Sequence, residues 1–143
     1  MNCSKCGICC RQTEMPLSEK DIQRIRRERS NLTFFRINKE GYAQLVNRQG
    51  HCIFYDCKTC RCKIYKIRPA GCRLYPIIFS QEEGVTVDAL CPEADSVKGK
   101  VPVRTRRLLQ LLRTLDREGE TRGARSKSQL DTQRCQTSLY DKP

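Results

Sequence analysis

Cys3-Ser4-Lys5-Cys6-Gly7-Ile8-Cys9-Cys10 places four cysteines within eight residues near the start of the chain. A two-residue spacer lets a tight turn aim two sulfurs at one ion, at about 2.3 Å for zinc. Gly7 directly after Cys6 helps that turn close. Small buried hydrophobes seldom crowd beside Ser, Lys and Gly in this way, so the run reads as a metal-binding loop rather than as inert thiols. Cys9 and Cys10 are adjacent, and neighbouring side chains diverge on a helix or a strand. The two are therefore expected to serve different sites, or one of them to be a spectator.

Four cysteines cannot satisfy two tetrahedral sites, so distal partners are needed, and Cys52, Cys62, Cys72 and Cys91 offer themselves at broad spacing. Eight thiolates suffice for two four-cysteine sites, with a pairing that spacing alone leaves open. Cys57 and Cys60 form another CxxC, equally readable as ligands or as an insertion whose thiols bind nothing or form a redox pair. Cys135 reads as a free thiol. His51 beside Cys52 offers to complete a mixed site, although a lone histidine is more often a polar surface or core residue.

The rest of the composition agrees with a metal-stabilised fold. The apolar class is 38% of 143 residues but includes all 11 cysteines, and without them it falls to near 30%. A chain of this size with so little hydrocarbon needs cross-links or metal to supplement its core. Disulfides are disfavoured by the odd cysteine count and by an N-terminus without a basic-then-apolar signal region. With no apolar run near membrane-spanning length, the expected setting is a reducing cytoplasm.

Local signals outline the elements. Ser18 as N-cap, Asp21 three residues on, and Leu17 with Ile22 as a hydrophobic staple start a basic helix that runs to about Arg29. Thr33 to Ile37 and Tyr42 to Val46 form a hairpin across Asn38-Lys39-Glu40-Gly41, with a further turn from Asn47 to Gly50. A second hairpin pairs Ile77 to Ser80 with Val85 to Ala89. Pro69 and Pro76 forbid a long helix between them. Leu108, Leu111, Leu112 and Leu115 share one face of a helix expected over Arg104 to Glu118. Beyond Gly119 the composition turns polar and basic, and reads as a disordered tail. The fold expected is small, irregular α+β, cysteine-rich and metal-stabilised, with two main helices and short antiparallel hairpins. It divides into a cysteine-cluster domain over residues 1–95, an amphipathic helix over 96–118 packing on it, and a tail over 119–143.

The opening CSKCGICC, together with the stretch Cys62-Lys63-Ile64-Tyr65-Lys66-Ile67-Arg68-Pro69-Ala70-Gly71-Cys72-Arg73-Leu74-Tyr75-Pro76, resembles the two signatures of the CxxCxxCC cysteine-cluster proteins. These YkgJ-type proteins are described as zinc- or iron-chelating domains. The resemblance covers roughly residues 1–95 and implies ligand roles for Cys3, Cys6, Cys9, Cys10, Cys52, Cys62, Cys72 and Cys91. Cys57 and Cys60 depart from the pattern. The family includes a flagellin lysine methylase, in which a similar domain is part of a larger enzyme that uses S-adenosylmethionine.

Arg68 and Arg73 bracket Cys72 and can donate to its sulfur or offset thiolate charge from a second shell. Pro69 and Pro76 stiffen the loop. Tyr65 and Tyr75 either shield the site from water or simply pack in the core.

A net charge of +12 invites a nucleic-acid or acidic partner. Two four-thiolate sites of net −2 each would lower it to about +8, so part of the basicity is counter-charge. Arg104, Arg106, Arg107 and Arg113 beside the leucine face read first as a solvated surface and second as a nucleic-acid surface.

Three functions follow from these residues. One is an iron–sulfur or zinc protein supporting redox or methyl-transfer chemistry with a protein partner. Another is a structural zinc module that binds nucleic acid or an acidic protein. The third is an enzyme in its own right, for which one histidine and no paired acids supply no evident general base. No membrane partner is expected.

Overall fold

In the computed structural model, which describes residues 6–134 and the side chains of residues 6–123, the chain is α+β with short antiparallel strand pairs and one long helix. Strand β1 (Pro16–Leu17) leads into helix α1 (Glu19–Glu28) through the capping box that the sequence announces. The Asp21 amide donates to Ser18 Oγ at 3.2 Å, and the Ser18 amide donates to Asp21 Oδ2 at 3.1 Å. Two otherwise orphaned amides are thereby satisfied. The staple residues Leu17 and Ile22, and Ile25 one turn on, are buried.

Strands β2 (Phe35–Ile37) and β3 (Ala43–Leu45) pair antiparallel with Phe35 opposite Leu45, and β1 takes the other edge of β3 with Leu17 opposite Ala43. Their turn is built by Asn38, whose Oδ1 accepts from the amides of Glu40 and Tyr42. Gly41 closes it at φ 92°, in the left-handed region open to glycine. Three further pairs follow: β4 (Asn47–Arg48) with β5 (His51–Cys52), β6 (Tyr55–Asp56) with β7 (Arg61–Cys62), and β8 (Ile77–Ser80) with β9 (Gly84–Val87). Between the last two pairs, helix α2 (Ala70–Leu74) occupies only the space between the two prolines.

Helix α3 (Ala94–Val97), a 3-10 turn (Lys98–Lys100) and helix α4 (Val101–Arg134) then run almost continuously. Pro102 falls in the first turn of α4, where a missing amide costs nothing. The helix begins three residues before the expected Arg104 and continues past Glu118, where composition places the start of a tail. Residues 119–123 dock on the β2–β3 turn: Arg122 reaches the Gly41 carbonyl and Glu19, and Tyr42 Oη donates to Asp116 at 2.6 Å. A Cβ on Gly41 would stand 2.5 Å from the Gly119 carbonyl oxygen, so the helix and turn approach too closely for any side chain there. Cys135 lies outside the described residues.

Two cores result. The first holds Leu17, Ile22, Ile25, Phe34, Ala43, Leu45, Phe54 and Ile64, with the Phe34 and Phe54 rings 5.7 Å apart. The second is smaller: Leu74, Ile77 and Leu108, joined by Val85, Val87, Leu111 and Leu112. The leucine face of α4 thus packs on the β8–β9 hairpin, as its periodicity requires.

Candidate metal centre

Eight cysteines line one cavity of about 80 Å³: Cys6, Cys9, Cys10, Cys52, Cys60, Cys62, Cys72 and Cys91. Its volume is several times the roughly 15 Å³ that one water needs. Seven of the eight belong to the ligand set that the two signatures imply; the remaining member of that set, Cys3, lies outside the described residues. Among the described residues no disulfide is formed. Nor do three or more His, Cys, Asp or Glu among them form a ready-made ligand cage.

The cysteines arrive on several local devices. Cys9 and Cys10 sit on a 3-10 turn (Ile8–Cys10) that starts from Gly7 at φ 76°. A Cβ on Gly7 would meet Tyr55 Oη at 2.6 Å, so glycine is needed both for the turn and for the close approach of Tyr55. Cys52 ends β5, and Cys62 ends β7. Cys72 is carried by α2. Cys91 follows a turn organised by Asp88, whose Oδ1 accepts from the Leu90 amide, whose carbonyl accepts from the Cys91 amide, and whose Oδ2 accepts from Tyr75 Oη at 2.8 Å.

The loop before Cys72 is anchored from α1. Asp21, 1% exposed, accepts from the Ala70 amide at 3.1 Å and pairs with Arg24 at 2.7 Å. Arg24 in turn donates to the carbonyls of Ile67 and Arg68. One carboxylate therefore caps a helix and fixes the second signature against it. The capping role is readable in the sequence; the reach to Ala70, 49 residues away, has no local signal.

The lining suits a soft metal. Its donors are sulfurs, its walls include Met15, Leu45, Phe54 and Ile64, and its charged side chains are Arg68 and Glu93. A hydrogen bond from Cys10 holds the Cys9 thiol down at about 7, while that same bond, and then burial, push Cys10 up. Burial pushes Cys52 up to about 11 and raises Cys72 as well, with the nearby thiolates adding to both. The Arg68 guanidinium opposes this at Cys9 and Cys72. Thiolates crowded in this way raise the cost of ionising Cys10, Cys52 and Cys72, a cost that a bound cation would offset.

Several sequence expectations are revised. Cys9 and Cys10 do not diverge: the 3-10 turn brings both to the same cavity, within hydrogen-bonding reach of each other. The cavity reaches around this short 3-10 turn far enough to take both side chains. Cys57 and Cys60 part company. Both are exposed, but Cys60, at φ 55°, lines the cavity, whereas Cys57 at the tip of the β6–β7 hairpin does not, its carbonyl 3.8 Å from Cys60 Sγ. His51 is not in the lining; its ring stacks on Tyr55 at 5.0 Å. Arg68 faces the cavity and lies over the Tyr65 ring, but Arg73 does not face it and instead donates to the Lys66 carbonyl. Tyr65 and Tyr75 both contribute to the wall.

Comparison with known proteins agrees with this centre. Residues 2–92 match a family profile described as "CxxCxxCC: Putative zinc- or iron-chelating domain". An uncharacterized protein of Methanocaldococcus jannaschii is 39% identical over 91 residues, covering 58% of this chain and 48% of the relative. The chain thus spans about half the length of that curated relative. No solved structure matches it. With both signatures matched and their described cysteines gathered around one cavity, the chain belongs to the CxxCxxCC family of zinc- or iron-chelating domains.

Proposed function

We propose that the cysteine cavity holds zinc or an iron–sulfur cluster and supports redox or methyl-transfer chemistry carried out with a protein partner in the reducing cytoplasm. The observation that carries this reading is the convergence of eight cysteines from five separate segments on one cavity. Cys3 completes the ligand set that the family signatures imply, with Cys6, Cys9, Cys10, Cys52, Cys62, Cys72 and Cys91. An iron–sulfur cluster would supply one-electron chemistry, whereas zinc would supply a closed cross-link. The chain's own part is to desolvate the sulfurs with Phe54, Ile64, Tyr65 and Tyr75, and to offset their negative charge with Arg68.

A structural zinc module that binds nucleic acid or an acidic protein is the second reading, favoured by the net charge of +12. Absorption spectra with metal analysis on protein purified without oxygen separate the two. Brown protein with iron and acid-labile sulfide supports the redox or methyl-transfer role. Colourless protein with stoichiometric zinc supports the binding module, and protein with neither metal rejects both.

A further inference from the structure

A second cavity, of about 390 Å³, lies beside the first and is lined by Arg68, Arg73, Arg104, Arg107, Ala70, Leu74 and Leu111. We propose that it binds a phosphate-bearing small molecule. Four arginines are among its lining residues, and among the described residues no acidic one is. Guanidinium groups present planar forks of donors that match phosphate oxygens in pairs.

The four come from two distant segments. Arg68 lies just before α2 and Arg73 in its last turn, while Arg104 and Arg107 sit three residues apart on one face near the start of α4. Arg104 is half-buried and Arg107 is exposed, as are Arg106 and Arg113 of the same helix, which do not line the cavity. Two of the four are already held in place. The Arg68 Nε–H donates to the Tyr65 carbonyl at 3.0 Å with the guanidinium stacked on the Tyr65 ring, and Arg73 donates to the Lys66 carbonyl at 3.2 Å. Side chains fixed before binding lose less entropy on binding.

The volume falls within the roughly 300–1,000 Å³ of small-molecule sites. Buried Leu74 and half-buried Leu111 give it an apolar floor for an organic moiety. Arg68 lines both cavities, which places the bound phosphate next to the cysteine centre. The phosphate site is nevertheless independent of which metal occupies that centre.

Calorimetric titration of the full chain with pyrophosphate and with ADP, at low salt, tests the proposal. Saturable binding is expected, tighter for ADP by about fivefold because of the apolar floor. The double variant Arg104→Gln/Arg107→Gln should weaken both ligands tenfold or more. Arg106→Gln/Arg113→Gln, which removes the same charge from the same helix, should weaken them less than twofold. Thermal melts of both variants verify that they are folded. Absence of saturable binding overturns the site. Equal weakening in the two variants also overturns it, because overall charge then explains the binding and a nucleic-acid backbone becomes the better ligand. Equal affinity for the two ligands overturns the organic part of the assignment.

Discussion

The two cores of this molecule are built on different principles. The core formed by Leu74, Ile77 and Leu108 is hydrocarbon packed on hydrocarbon, with a helix laid across a hairpin. The larger core around Phe34 and Phe54 has hydrocarbon on one side only; its other side is the wall of cysteines. Metal bound to thiolates supplies folding free energy directly, whereas an apolar contact draws on the area it removes from water. A composition near 30% apolar without cysteine is enough for the small core. It leaves the large one dependent on what its sulfurs hold.

Metal removal should open the widest gap between the two. Amide exchange on chelated protein is expected to lose protection in β1–β3 and around α2, with protection kept longest where α4 covers β8 and β9; a uniform loss would refute the division. In this fold burial holds Cys52 up at about 11, against 9.0 for an ordinary thiol. Its raised value adds stability that is fully present below pH 9 and lost as pH rises through about 11, and Cys10 and Cys72 act in the same direction. Cys9, lowered to about 7, adds stability as pH rises from 7 to 9 and nothing further above that. Denaturant titrations of the chelated form across this range should therefore show a decline above pH 9.

Substitution sharpens the comparison on a smaller scale. Phe54→Ala should cost about 3–5 kcal/mol and also weaken metal retention, since Phe54 is both core and cavity wall. Leu108→Ala should cost about 2–5 kcal/mol and leave metal content unchanged. Urea unfolding combined with metal analysis reads both, and a metal loss in Leu108→Ala would show the cores to be one unit. The smallest effect is expected at Asp21→Asn, about 1.5–3 kcal/mol from weakened charged hydrogen bonds. Because Asp21 fixes the loop before Cys72, metal should also leave this variant faster; unchanged release kinetics would reduce its role to helix capping.

What could be read from the sequence was whatever is local. The capping box at Ser18 and Asp21, both long hairpins, the leucine face and the cysteine signatures each need only a few neighbouring residues, and the structure carries all of them. What the sequence left open has one physical origin. The placement of Cys60 and Cys57, the exclusion of His51 and the shared orientation of Cys9 and Cys10 depend on φ values and on contacts between remote segments, which side-chain type does not encode. The β6–β7 hairpin was hidden because a CxxC loop between two-residue strands has no alternation to read. The continuation of α4 past Glu118 rests on a docking surface, the β2–β3 turn, that its own polar composition does not reveal.

The contact between Arg122 and Glu19 joins residues 103 apart in sequence. A chain emerging from the ribosome therefore presents every cysteine of the cavity, through Cys91, before the segment that clamps α1 against the β2–β3 turn has been made. Closing so long a loop carries a large entropic cost that short-range contacts avoid. The order of synthesis therefore puts the sulfurs of the cavity on the chain before the strap that α4 supplies.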